Sequence, residues 1–153
     1  MNRVLAAVVV LFALTGSLLA SSPPKPTTSK YFHSAGGGFF GDGEKHGLFY
    51  GVTLEVRSPI PDGAVADFLF ENPSNPKEPL LATVVITGSP RTISARSPAL
   101  PTIENNKIYT FRVILYRDET RKEKLGEHSQ KLQFSVPEKM FETTFKTQFF
   151  QQH

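Results

Sequence analysis

The chain has 153 residues, enough for one domain with appended segments, and its 17 basic and 14 acidic residues give a formal net charge of +3. Basic and acidic residues are interleaved, so composition indicates no concentrated basic patch, and we expect no nucleic-acid partner. The chain contains no cysteine, which excludes disulfides, thiol catalysis and a lipidated N-terminal cysteine.

Residues 1–20 have the layout of a secretory signal peptide. Arg3 supplies the positive start, residues 4–14 form an uninterrupted apolar run, and small residues follow at Ala20. We therefore expect cleavage after Ala20 and export to the periplasm or the secreted space. A retained membrane anchor is the alternative, although the run is shorter than the roughly 20 apolar residues of a spanning helix. The lack of cysteine in an exported chain favours a bacterial protein.

The segment between the signal peptide and the first alternating stretch has the composition of a linker. Residues 21–30 are rich in proline, serine and threonine, which indicates an extended spacer, and a glycine-rich stretch follows. We expect a linker or loop over 21–47, a β-domain over 48–137 and a C-terminal tail over 138–153.

From residue 48 onward, apolar and polar residues alternate between clusters of turn residues, as in half-buried strands. No segment resembles a helical crossover, so the sequence predicts an all-β, antiparallel, immunoglobulin-like β-sandwich of about six to seven strands. The stretch at 80–87 is apolar on both faces, which indicates a central strand, and the short stretch at 91–96 lies between prolines, which indicates an edge. The predicted strands are 48–57, 65–71, 80–87, 91–96, 107–117 and 127–136.

Residues 100–113 resemble the entry to a strand in fibronectin type III and other immunoglobulin-like domains. Leu100 and Pro101 form the turn, and Tyr109 opens a strand of alternating apolar residues. The resemblance implies a tyrosine corner, in which the Tyr109 hydroxyl bonds to backbone a few residues upstream. The chain has no tryptophan, which departs from the fibronectin pattern, and Tyr109 starting an ordinary strand is the alternative.

The tail is aromatic and ambiguous in its periodicity. Phe141, Phe145 and Phe149 are four residues apart, as on one helix face, but they also alternate with threonines, as on a strand. We favour a helix or a frayed extension after Pro137. The rings need a partner surface, and we favour a surface on another molecule, with docking on the domain itself as the alternative.

The glycine-rich stretch and the charged loop each have a pattern found in known kinds of functional site. Gly36, Gly38 and Gly41 match the letters of a dinucleotide fingerprint, but no strand-to-helix turn is predicted there, so no nucleotide cofactor is expected. The charged loop from Arg117 to Lys124 is placed like the recognition loops of sandwich domains, although mixed charge is also typical of any long hairpin loop, which is the favoured alternative. Its predicted partner-binding cations are Arg117, Arg121, Lys122 and Lys124.

The glycine-rich stretch also holds a candidate metal site. Two histidines with carboxylates suit zinc or copper, and the candidate ligands are His33, Asp42, Glu44 and His46. No serine lies in a nucleophile elbow.

These patterns predict an exported, non-catalytic binding or structural module. We expect no cofactor, a protein or envelope component as partner, and no stable membrane span after cleavage, and the oligomeric state stays open. The alternative is a metal-binding or hydrolytic protein that uses His33, His46 and nearby carboxylates.

Overall fold

A computed structural model of the chain describes residues 29–42 and 47–149. The predicted signal peptide, most of the predicted spacer and the candidate ligands Glu44 and His46 lie outside the described residues.

The described residues form seven strands in two antiparallel sheets, which pack as a β-sandwich. This confirms the predicted all-β class and adds one strand to the six that the alternation indicates. The first sheet has the order β1-β2-β5, and the second has the order β4-β3-β6-β7. The strands are β1 (Phe32–Asp42), β2 (Gly47–Val56), β3 (Val65–Phe70), β4 (Leu80–Val85), β5 (Thr92–Arg96), β6 (Lys107–Tyr116) and β7 (Lys124–Phe134).

The core follows the alternation of the sequence. On β6, Tyr109, Phe111, Val113 and Leu115 are all buried between the sheets, while the residues between them point outward or are half-buried. Aromatic rings fill the centre: the ring of Tyr50 stacks on a β3 phenylalanine with centroids 5.4 Å apart, and it meets Tyr109 edge-on at 5.8 Å. Period-two alternation therefore placed the inner faces correctly.

Strand β1 corrects the expectation of a loop over 21–47, because the glycine-rich stretch is part of the first sheet. A β-bulge between Ser34 and Gly36 shifts its register against β2. The bulge lets Phe32 and Phe39 pack on the same core, although their odd separation would otherwise place them on opposite faces. Gly37 also lacks room for a side chain, since a Cβ there would lie 2.9 Å from a leucine methyl on β7. Because of the bulge and the glycines, the sequence of this strand shows no apolar alternation.

Strand β4 corrects the second expectation, because it is an edge strand and not a central one. It pairs with β3 alone. Leu81 and Val85, which face away from the core, are 50% and 58% exposed. The apolar residues on the outward face of this stretch are therefore exposed to solvent at the edge of the second sheet.

The tyrosine corner implied by the resemblance is present. The Tyr109 hydroxyl accepts the backbone N–H of Glu104, five residues upstream, at 2.8 Å, and its ring is fully buried. Burial is the main cause that raises the pKa of Tyr109, as it also raises that of Tyr50. Tyr109 thus ties the entry loop to the core in addition to opening the strand.

The tail is helical, as a short α-helix α1 (Glu138–Met140) that continues into a π-helical segment, Phe141–Phe149. Phe141 is 6% exposed and belongs to the core, and its ring meets that of Phe134 at 6.2 Å. Phe145 is half-buried against the same ring at 5.1 Å. The first of the three rings is therefore docked on the sandwich, in contrast to the expectation of a waiting segment, while the side chain of Phe149 lies outside the described residues.

Candidate functional site

Of the candidate metal ligands, the two that the structure describes, His33 and Asp42, lie far apart. His33 lies near the start of β1 opposite Glu55, and Asp42 ends the same strand opposite Gly47. Nine steps along an extended strand separate the two residues by roughly 30 Å, so they cannot hold one ion. The described residues contain no group of three or more histidine or carboxylate side chains arranged to hold a metal.

The glycines of the fingerprint letters lie inside β1. Gly36, Gly38 and Gly41 pair with Thr53, Gly51 and Leu48 of β2 in a regular antiparallel ladder. A phosphate-binding fingerprint needs free backbone amides at the opening of a helix, and these glycines occupy a strand that returns as a hairpin.

Most of the cations in the charged loop are engaged within the molecule. Arg117 forms a bidentate ion pair with Glu123, at 2.5 Å and 2.8 Å. Lys124, which begins β7, pairs with Glu127. Lys122 is exposed and forms no ion pair with the described part of the chain. The predicted partner-binding loop thus presents a single unpaired cation.

Arg121 fastens this loop to the outer face of the second sheet. Its Nε and Nη2 donate to the carboxylate of Asp67 at 2.7 Å and 3.0 Å, and the Thr83 hydroxyl donates to the same carboxylate at 2.8 Å. The arginine holds the pKa of Asp67 below its ordinary value against the opposing effect of burial. The φ angle of Arg121 is +55°, a backbone conformation that residues other than glycine rarely adopt. The ion pair therefore fixes the loop in a definite position on the sheet.

The other half of that outer face is open and forms a groove of about 690 Å³. Its floor comes from adjacent strands, because Leu69 of β3 is paired with Arg112 of β6, and Thr110 of β6 is paired with Lys131 of β7. The charged and large apolar side chains that line the groove belong to Leu69, Glu71, Lys77, Ile108, Arg112 and Lys131. The volume is within the usual range of ligand sites.

One wall of the groove is the proline-rich loop at 71–79, which is held by its own side chains. Asn72 accepts the N–H of Ser74 at 3.0 Å and donates to the Glu78 carbonyl at 3.1 Å. Asn75 accepts the N–H of Lys77 at 3.2 Å. Such turns, together with prolines, limit the backbone motion of the loop, so the groove is preformed.

The charges around the groove are unbalanced. Lys77 and Lys131 form no ion pair within the described part of the chain, and Arg112 reaches Glu127 only at 3.6 Å, beyond hydrogen-bond distance. Glu71 is the one acidic residue among those that line the groove, and its carboxylate accepts the N–H of Thr110 at 2.9 Å. The groove lining therefore contains three cations and one carboxylate, which already has a backbone partner, while Arg112 has its own ion pair with Glu127 outside the lining.

Sequence reasoning missed this groove because it used the inward-facing residues of each strand. The outward positions of the strongest predicted strand include Ile108 and Arg112, a pattern that was visible in the sequence. Which residues lie beside them depends on the pairing of β6 with β3 and β7, which no local pattern specifies.

His128 is the most unusual polar residue of the interior. It is 9% exposed, and both ring nitrogens lack a hydrogen-bond partner within the described residues, as does Oε1 of the nearby Gln130. Burial is the main cause that lowers the pKa of His128. The imidazole is therefore kept neutral, and no described carboxylate orients it as a catalytic base.

No family model matches the chain, and no curated protein or solved structure matches it either. Among the helices of the described residues, none has the length and apolar character that crossing a membrane requires.

Proposed function

We propose that this protein is an exported, non-catalytic, immunoglobulin-like binding module of the cell envelope or secreted space, and that the groove beside Arg112 is its binding surface. The fibronectin type III-like character of the domain is supported by the two antiparallel sheets and by the tyrosine corner at Tyr109. The layout of residues 1–20 supports export.

The observation that carries the proposal is the preformed groove with an excess of cations on its rim, of which Lys77 and Lys131 form no ion pair within the described part of the chain. A surface lysine without an ion pair is common by itself, but here Lys77, Arg112 and Lys131 converge on one cavity with an apolar floor. Convergent polar groups around a concave apolar surface are what ligand sites share. Arg121 and its loop cover the part of the outer face around Asp67, whereas the part around Ile108 and Arg112 is open to a partner.

The alternative of metal or hydrolytic chemistry has less support. His33 and Asp42 lie at opposite ends of β1. His128 lies inside the sandwich with both ring nitrogens unpartnered among the described residues. A histidine without an orienting acceptor or an adjacent nucleophile lacks the geometry of general-base catalysis.

Photo-crosslinking in living cells tests the proposal. A photoreactive phenylalanine analogue replaces Ile108, which is 55% exposed at the groove, and the control places the same analogue at Thr87, an exposed residue outside it. We expect a crosslinked partner from the groove position alone, and we expect Arg112→Glu to abolish it. Mass spectrometry of the recovered protein tests export, with a chain that begins at Ser21 as the expected result.

Equal crosslinking from both positions, or none from the groove, would contradict the proposed binding surface. Recovery of the chain with residues 1–20 attached would favour the alternative that these residues are a retained membrane anchor.

A further inference from the structure

The spacing of the groove cations suggests the form of the ligand. Lys131 is directly opposite Thr110, and Arg112 is two residues further along β6 on the same outward face. Arg112 and Lys131 are therefore diagonal neighbours, with Cα atoms about 7–8 Å apart. Alternate residues of an extended chain repeat at about 6.6–6.8 Å. Two carboxylates at alternate positions of an extended peptide can thus meet both cations together.

The apolar surface beside these cations distinguishes between classes of anion. Ile108 is 55% exposed and shares the outward face of β6 with Arg112, and Leu69 forms part of the floor. A ligand that covers this surface gains from burying apolar side chains of its own. A polypeptide carries carboxylates and apolar side chains on one strand, whereas a sulfated or phosphorylated glycan carries few apolar groups. The combination favours a protein segment.

We infer that the groove binds an acidic, extended segment of a partner protein, with its carboxylates against Arg112 and Lys131 and an apolar side chain against Ile108. This inference rests on the proposed function, because it takes the groove as the binding surface. Lys77 on the proline-rich wall supplies a further positive charge at the groove.

Fluorescence anisotropy with a defined probe tests the inference on the full chain. The probe is a fluorescein-labelled peptide with glutamate at two successive alternate positions, valine at the next alternate position and serine between them, so that all three side chains lie on one face of the extended chain, and its control has glutamine in place of each glutamate. We expect the acidic peptide to bind and the glutamine peptide not to bind. We also expect the affinity of the acidic peptide to fall as salt is added, because the contacting charges are exposed.

Matched variants locate the binding site. Arg112→Gln and Lys131→Gln each remove one groove cation, and we expect each to weaken binding about two- to fivefold, the range of an exposed ion pair. Ile108→Asp places a like charge against the ligand and should weaken binding at least about tenfold. Lys122→Gln makes the same charge change in the loop at the far end of the sheet and should leave the affinity unchanged.

Three results would overturn the inference. Equal loss in Lys122→Gln would place the acidic peptide on the charged loop. Heparin that binds in a manner sensitive to Arg112→Gln, with no binding of the peptide, would identify a polyanionic glycan as the ligand class. Absence of peptide binding while Ile108 still crosslinks in cells would reject the acidic peptide and leave the proposed function intact, whereas loss of that crosslink rejects the proposed function itself.

Discussion

Removal of a single oxygen at the tyrosine corner tests how the fold is held. Tyr109→Phe keeps the aromatic ring in the core, so it creates no cavity of ring size, and it deletes the acceptor for the Glu104 N–H, which lies at 2.8 Å. The effect on stability should therefore come from one hydrogen bond and not from packing.

The expected loss follows from the surroundings of the two partners. A typical hydrogen bond contributes about 0.5–1.5 kcal/mol, and leaving a buried donor unsatisfied costs about 1–3 kcal/mol. The Tyr109 ring is fully buried, but the side chain of Glu104 is exposed, so water has partial access to the freed N–H. We expect Tyr109→Phe to lower the free energy of unfolding by about 1–2 kcal/mol.

Urea denaturation of the protein measures this loss. With a slope of about 1–3 kcal/mol per molar urea for small proteins, the unfolding midpoint should fall by roughly 0.3–2 M. Tyr116→Phe is the matched control, because it deletes the same oxygen from a half-buried tyrosine whose hydroxyl has no hydrogen bond within the described residues. A loss at Tyr109 no larger than the loss at Tyr116 would refute the structural role of the corner.

Three further predictions concern the core, the buried histidine and the tail. Phe111→Ala, at 1% exposure in the middle of β6, should cost about 3–5 kcal/mol, and a loss under about 1 kcal/mol in urea denaturation would mean that the strand faces are wrongly assigned. The pKa of His128 is lowered by burial, so the unfolded chain takes up a proton near pH 6.5 while the folded chain does not. Stability should therefore be full above about pH 6.5 and fall as the pH drops toward the lower folded pKa, and this fall should shrink in His128→Leu when urea midpoints are compared on both sides of that pH. Phe141→Ala should lower stability by about 1.5–3 kcal/mol because its buried ring leaves the core, and an unchanged melting temperature would show that the tail is an undocked segment.

The alternating stretches determined most of the sandwich before any coordinates were considered. Burial of one face of a strand is a local requirement, and it appears in the sequence as every second residue being apolar. For this reason the inward faces of β2, β3, β6 and β7 were predictable. The tyrosine corner came instead from the resemblance of residues 100–113 to immunoglobulin-like domains. The same rule failed at β1, where a bulge changes the phase and glycines leave no side chains to follow.

Only the tertiary structure decided where the surface chemistry converges. Arg112 and Lys131 are far apart along the chain and become neighbours through the register of β6 with β7. The pairing of β3 with β6 brings Asp67 within reach of Arg121, and the pairing of β4 with β3 alone leaves β4 at an edge with Leu81 exposed. Register depends on contacts between distant segments. The alternation within each segment stays the same whichever outward residues of two paired strands lie opposite each other, so alternation alone does not specify the register. The sequence therefore determined which residues point outward, and strand pairing decided which of them share one groove.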